Sequence, residues 1–472
     1  MLATIEITKI LEGVVLSTTF IIFFTYLILA ITSARELRDY FKRNSFSRHE
    51  SLHNYPEQPS VTIIAPAYNE GKSIVDIIKA LLQLNYNNYE IIVVNDGSKD
   101  DTVERVLSSF ALYKATLFID YQIPCQKIKG VYRSNASECR RLIFIDKANG
   151  GKADALNAGL NLCTSQLIVT IDADSIIDPD ALLKMAKPFM TERNRKVIAT
   201  GGVVRIVNSC IVSGGKVTDV NLPNNLLAAI QVLEYTRSFL MARMAWSRIN
   251  GLMLISGALG MFDREIMIAA GGYSTKTVGE DMEVVVRMRR YMMEKKQKSV
   301  VFYIPDPLCW TEVPTSTKVL QKQRNRWMRG LMETLISHKK IALNPKYGVF
   351  GFLGYPYWLL LEWAAPLIEF FGILYFIALI LLGAINWSFF FFMLFFVYSF
   401  AITMSILSIL FEEMTYHKYK KKNDLIRLLL IALIEPIIYH PMVTLWSVKA
   451  NLDFMIGRKG WGKMERKGFK KR

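Results

Sequence analysis

Apolar residues are unevenly spaced along the chain, and their pattern divides it. Residues 13–32 run GVVLSTTFIIFFTYLILAIT without a charge. A helix over that run is long enough to cross about 30 Å of hydrocarbon. The run is too long for a cleaved signal peptide, no basic segment precedes it, and no small-residue cleavage site follows. From 60 to 340 there is no long apolar run. Short β-rich segments alternate there with helical ones: VTIIAPA (61–67), EIIVVND (90–96), LIVTIDAD (167–174) and KVIATGGVV (196–204). Strands apolar on both faces and separated by helices predict a parallel sheet covered on two sides, an α/β domain. After Trp327 the apolar runs return. Residues 350–362 (FGFLGYPYWLLLE) read as an aromatic interfacial helix. Spans are expected near 365–386, 389–411 and 425–448. The last contains Glu435, Pro436, His440 and Pro441. Charges are costly in lipid and prolines interrupt helices, so this segment is expected to be re-entrant or packed on protein.

The expected organisation is an N-terminal span (1–33), a polar linker (34–59), an α/β domain (60–340), an interfacial helical region (341–362), a membrane region of about three segments (363–448) and a basic tail (449–472). The formal net charge of +17 sharpens it. Arg35, Arg38, Lys42, Arg43 and Arg48 follow the first span, whereas only Lys9 precedes it. The first span should therefore run from outside to inside. Lys418, Lys420, Lys421 and Lys422 flank a later one. Basic residues beside apolar runs fit anionic headgroups and the cytoplasmic leaflet of a multi-pass inner-membrane protein, and disfavour nucleic acid as the partner. A conflict follows: four full crossings would put the tail GRKGWGKMERKGFKKR (457–472) outside, where its charge does not belong. One late segment is expected not to cross fully. Cys125, Cys139, Cys163, Cys210 and Cys309 form no CxxC pair, and the five histidines form no HExxH, which excludes a disulfide framework and a zinc site and fits a reducing cytosol.

Three of the four strands end in polar clusters: Tyr68-Asn69-Glu70, Asn95-Asp96-Gly97-Ser98 and Asp172-Ala173-Asp174. In open α/β sheets ligands bind beyond the carboxyl ends of strands. Two carboxylates at i and i+2 can hold a hard divalent cation, Mg²⁺ or Mn²⁺, or simply form a turn. With Asp96 at a second strand end, they favour a nucleotide-sugar cleft. Asn149-Gly150-Gly151-Lys152 fails the P-loop pattern, since Ala153 replaces the Ser or Thr, yet glycines followed by lysine suit an anion. Glu280-Asp281 opens a helical segment, either as caps or as a general base. Gln323-Arg324-Asn325-Arg326-Trp327 is basic and amphipathic. It reads as a membrane-proximal helix with snorkelling arginines, or as Arg326 facing a leaving diphosphate with Trp327 stacked on a sugar.

These motifs, in this order and approximate spacing, resemble the processive family 2 glycosyltransferases, a group that includes hyaluronan, cellulose, chitin and poly-N-acetylglucosamine synthases. APAYNE (65–70), NDGSKDDT (95–102), GGKADALNAG (150–159), SGALGMF (256–262) and TEVPTSTKVLQKQRNRW (311–327) carry the resemblance over about residues 60–330. The resemblance implies a GT-A fold and inverting transfer from a UDP-sugar to a growing glycan. It implies that Asn69, Glu70, Asp96 and Lys152 hold the nucleotide, that Asp172 lies near ribose and diphosphate, and that Asp174 binds the metal. Asp281 would be the base. Gln323, Arg326 and Trp327 would stand at the diphosphate and acceptor end, with Ser256 and Gly257 lining the acceptor site. The chain departs from the pattern at Gly279, where many members have threonine, and in 110–147, which reads as an insertion. A polymer synthase, aided by an accessory export or regulatory subunit, and a single-transfer enzyme acting on a membrane lipid or lipid carrier are both compatible with these motifs.

Overall fold

The computed structural model describes residues 2–45 and 58–458. Arg48 and most of the tail 457–472 lie outside them. Helix α1 (Leu2–Ser45) contains the first apolar run and continues into the stretch read as a linker. The reason is docking: Glu36 and Asp39 bind Arg248 at 2.7 and 2.8 Å, and Tyr40 hydrogen-bonds Asp306. A polar helix end needs no lipid when the domain surface covers it.

The domain is built on one ten-stranded sheet. In chain order its strands are β1 (Val61–Ala67), β2 (Tyr89–Asn95), β3 (Leu112–Ala115), β4 (Ile128–Ser134), β5 (Leu142–Lys147), β6 (Leu167–Ile171), β7 (Ile176–Ile177), β8 (Lys196–Ile206), β11 (Leu259–Asp263) and β12 (Ser299–Thr311); β9 (Ile211–Ser213) and β10 (Lys216–Asp219) form a separate hairpin. The spatial order is β3-β4-β5-β2-β1-β6-β11-β8-β12-β7. Neighbours β5, β2, β1 and β6 run parallel, as do β8 and β12. The sheet is nevertheless mixed. β11 inserts antiparallel between β6 and β8, and β4 and β7 are antiparallel to their neighbours. The stretch 110–147 is no appendage, because β5 pairs directly with β2 and every residue of β2 except Glu90 is buried.

Helices cover the sheet: α2 (Ile74–Leu81), α3 (Thr102–Ser109), α4 (Lys152–Leu162), α5 (Ala181–Thr191), α6 (Leu226–Thr236), α7 (Met244–Arg248), α8 (Arg264–Ala269), α9 (Glu280–Glu294) and α10 (Thr317–Ser337). A wide π turn, Arg237–Arg243, joins α6 to α7 in one rod. α4 is buried from Ala153 to Leu162 and packs on β1 and β2.

Residues 350–364 are helical, with wide turns, and lead without a break into α11 (Ala365–Leu381). α12 (Trp387–Thr415) and α13 (Lys422–Met455) follow. Four helical stretches among the described residues are long and apolar enough to cross a membrane: Glu12–Asn44, Phe350–Leu381, α12 and α13. Pro436 and Pro441 do not break α13. Its flanking contacts hold it instead: Glu435 bonds Arg237 at 3.1 Å, and Tyr439 bonds Glu234 at 2.9 Å.

Candidate active site

Strand direction assembles the site. β5, β2, β1 and β6 are parallel neighbours, so the segments after their last residues emerge at one edge. Those segments carry Lys147 to Lys152, Asp96, Asn69-Glu70 and Asp172 to Asp174. Because β11 is antiparallel, the segment before it, Ser256-Gly257, meets the same edge.

Asp96 is 4% exposed. Its carboxylate accepts from Lys147 Nζ (2.6 Å), Gly150 N (2.9 Å), Gly151 N (2.7 Å) and Asn149 Nδ2 (3.1 Å). Four donors commit this carboxylate to shaping the glycine loop. Gly151 there has φ +90°, a conformation that disfavours side chains. Asn69 and Glu70 also serve loops. Asn69 Oδ1 accepts from Lys99 N at 2.8 Å, its own N–H reaches Ser98 Oγ at 2.9 Å, and Glu70 N reaches Thr102 Oγ1 at 3.0 Å.

The glycine loop aims Lys152 at two acidic motifs. Its Nζ lies 2.5 Å from Asp172 Oδ1 and 3.4 Å from Glu280 Oε1. Burial would lower the lysine's pKa, but Asp172, Glu280 and Asp281 outweigh it and the pKa is raised. Burial raises Glu280, Lys152 opposes, Asp281 adds to the rise, and Arg326 opposes again, which places the QRNRW helix α10 within the same field. Asp281 is half-buried at the N-terminus of α9. Its Oδ2 accepts from Gly257 N at 3.2 Å and its Oδ1 from Met282 N at 2.9 Å. Ser256 Oγ accepts from Ala258 N at 3.4 Å beside it.

Asp174 is half-buried in the turn closed by Ser175 N to Asp172 O at 3.0 Å. Burial pushes Tyr235 on α6 up to about 12; Arg324 opposes, and Glu234 and Asp174 add to the rise. On α10, Arg324 forks onto Glu234 at 2.5 and 2.6 Å and stacks over Trp327, 4.4 Å from the ring centroid. Trp327 stays 42% exposed. Gln323 Oε1 is a buried acceptor with no hydrogen-bond partner.

Sequence reasoning missed the support beneath the site. Lys147 is wholly buried between Asp96 and Asp154. Asn157 brackets Tyr273 through both backbone groups, and Asn161 does the same for Ile123. The signal was present: Asp154, Asn157 and Asn161 fall at i, i+3 and i+7 of a helix with almost no polar face, so they had to be satisfied inside.

The mixed α/β sheet with this acidic edge, joined to membrane-compatible helices, fits the GT-A fold expected from the sequence. Residues 62–117 match the glycosyl transferase family 2 model and residues 131–330 the glycosyltransferase like family 2 model. The poly-β-1,6-N-acetyl-D-glucosamine synthase of Staphylococcus epidermidis is 27% identical over 298 residues, covering 63% of this chain and 61% of the relative. That of Staphylococcus aureus strain COL is 29% identical over 286 residues, covering 60% and 57%. The chain thus spans about three fifths of the length of these homologues. A solved mannosyltransferase from Pyrobaculum calidifontis aligns at a TM-score of 0.49 and 15% identity, covering 92% of this chain and 99% of that one.

Proposed function

We propose that this protein is a membrane-bound inverting glycosyltransferase that takes a UDP-sugar on the cytoplasmic face and extends a β-linked exopolysaccharide of the poly-N-acetylglucosamine kind. The observation that carries the reading is Lys152, which joins the DAD turn to the GED helix within one cleft. The names of the two staphylococcal homologues support the product class.

Asp281 takes the proton from the acceptor hydroxyl as its oxygen attacks the anomeric carbon, with Gly257 N orienting the carboxylate. Lys152 and Arg326 supply positive charge where the diphosphate departs, so no second protein acid is required. Trp327, exposed beside them, offers its face to the acceptor sugar. Asn69, Glu70 and Asp96 shape the nucleotide pocket through the loops they bind. Gln323, with its unpaired buried oxygen, and Ser256 line the acceptor end.

Asp172 and Asp174 fit a divalent cation, Mg²⁺ or Mn²⁺. They are hard oxygen donors, and Asp172 keeps a third of its side chain open to the cleft. Among the described residues no group of three or more His, Cys, Asp and Glu that could hold a metal comes together, so these two aspartates are the protein ligands the reading relies on. Bound there, the cation would neutralise charge on the departing diphosphate.

Membranes incubated with several radiolabelled UDP-sugars, followed by sizing of the product, test the reading. A high-molecular-weight labelled polymer from one UDP-sugar is expected. A single sugar on a lipid would overturn polymerisation, and no transfer from any UDP-sugar would overturn the donor class.

A further inference from the structure

α13 matches a membrane span in length and mean hydropathy, but its surroundings differ from those of the other three. A third of its most apolar window (33%) is buried against protein, compared with 11, 6 and 17% for the others. Leu428, Ile431, Glu435, Tyr439, Trp446 and Ala450 are buried and fall on one helical face along its whole length. Leu430, Ile434, Ile437, Leu445 and Leu452, on the opposite face, are 38–62% exposed.

The buried face touches the catalytic domain from end to end. Near the start, Asp424 Oδ2 accepts from Leu222 N at 3.4 Å, and Arg427 donates to Pro223 O at 3.0 Å. In the middle, Glu435 and Tyr439 bind Arg237 and Glu234. At the far end, Asp453 Oδ2 accepts from Asn325 Nδ2 at 2.8 Å. Asn325 stands two residues before Trp327 on α10. A 34-residue helix is about 51 Å long, and crossing the bilayer would carry one end about 30 Å from the other leaflet. Asp453 could not then reach a helix of the domain that holds Asp424.

We propose that α13 does not cross the membrane. It lies in the plane of the catalytic face, its apolar stripe in the acyl layer of that leaflet and its buried stripe packed on α6 and α10 and, at Glu435 and Thr444, on the near ends of α12 and α11. Lys418, Lys420, Lys421 and Lys422, just before and at its start, meet anionic headgroups of the same leaflet. The chain then crosses three times, through α1, residues 350–381 and α12. The described chain then ends at Arg458 on the side of the domain, which removes the charge conflict that four crossings create. The clamp also gives α13 a positioning role, since Asp453 holds Asn325 within the Arg324-Trp327 turn of α10 and Tyr439 binds Glu234, the partner of Arg324.

Single cysteines at Arg458, Ser98 and Gly383, each in a full-length chain with the five native cysteines replaced, are probed in cells with a membrane-impermeant maleimide. Gly383, in the turn between α11 and α12, should label in intact cells. R458C should label only after permeabilisation, like S98C. R458C labelling in intact cells, like G383C, overturns the proposal. If the cysteine-free chain fails to accumulate, green fluorescent protein fused after Arg472 of the native chain answers instead: fluorescence supports the in-plane helix, and a dark fusion on a stably inserted chain overturns it. Neither readout depends on sugar transfer, so a wrong donor leaves the result intact.

Discussion

Lys147 Nζ lies 2.6 Å from Asp96 Oδ1, and the two side chains are 0% and 5% exposed. The same ammonium lies 2.5 Å from Asp154 Oδ1, and Asp154 in turn accepts from Gln126 N at 3.0 Å. One buried cation therefore ties together the end of β2, the strand-rich stretch before β5, and the glycine loop that aims Lys152.

Removing that cation leaves two buried carboxylates facing each other. Lys147→Met should destabilise the domain by about 3–5 kcal/mol, as broken buried pairs do. UDP affinity should fall at least about tenfold, because the loop loses its anchor. Lys147→Arg should restore part of both. Thermal unfolding of the detergent-solubilised protein and UDP titration check this; unchanged melting in Lys147→Met would refute the anchoring role.

A second prediction concerns backbone contact. A Cβ built on Gly279 would lie 2.7 Å from Gly330 Cα, so α9 and α10 touch through two glycines. That contact explains why this chain carries glycine at 279. Gly279→Ala should force the helices apart, costing about 1–3 kcal/mol and shifting Asp281 relative to Arg326. Polymer synthesis should drop more than UDP binding does. Normal synthesis in Gly279→Ala would show that the contact is not needed.

Much of the frame was legible. The segments 61–67, 90–96, 167–174 and 196–204 each hold an observed strand, because runs of Val and Ile bounded by polar clusters leave few alternatives. The strand ends pointed to the edge that gathers Asp96, Lys152 and Asp172. β11 was not legible, because SGALGMF is short and glycine-rich and its antiparallel insertion is a tertiary choice. Nor was the helix over 34–45, whose polar residues are covered by Arg248 and Asp306 rather than by water. For α13 the sequence went part of the way: Glu435, Pro436, His440 and Pro441 marked it as a segment packed on protein, but not its partners. Hydropathy measures the apolar stripe, while Arg237, Glu234 and Asn325, distant in sequence, decide what the other stripe meets.

The metal reading predicts that Asp174→Asn abolishes transfer and weakens UDP binding only when Mg²⁺ or Mn²⁺ is present. Asp172→Asn should also reduce transfer and in addition loosen Lys152, 2.5 Å away. Isothermal titration of UDP with and without metal separates the effects. Full activity in excess EDTA would refute the metal requirement.

The last prediction concerns proton removal and depends on which of two adjacent carboxylates faces the acceptor. Successive helical residues point about 100° apart, so Glu280 and Asp281 cannot share one environment. Glu280 is 5% exposed and lies 3.4 Å from Lys152. It acts as a brace for the lysine. Asp281 is half-buried, and each of its oxygens accepts a single backbone N–H, from Gly257 and Met282, which fixes its orientation while leaving room for an acceptor hydroxyl. Asp281→Asn keeps the shape and can still meet the cleft, but it cannot take a proton. It should lower turnover on the order of 10²-fold or more. UDP-sugar affinity should stay within a few-fold, because a base contributes little to ground-state binding. Glu280→Gln should be milder, lowering donor affinity through Lys152 more than it lowers turnover. Turnover and donor binding measured on the same membranes decide the assignment. Near-normal turnover in Asp281→Asn with a dead Glu280→Gln would move the base to Glu280. Lost donor binding in a folded Asp281→Asn would instead place Asp281 with Asp172 and Lys152 at the diphosphate.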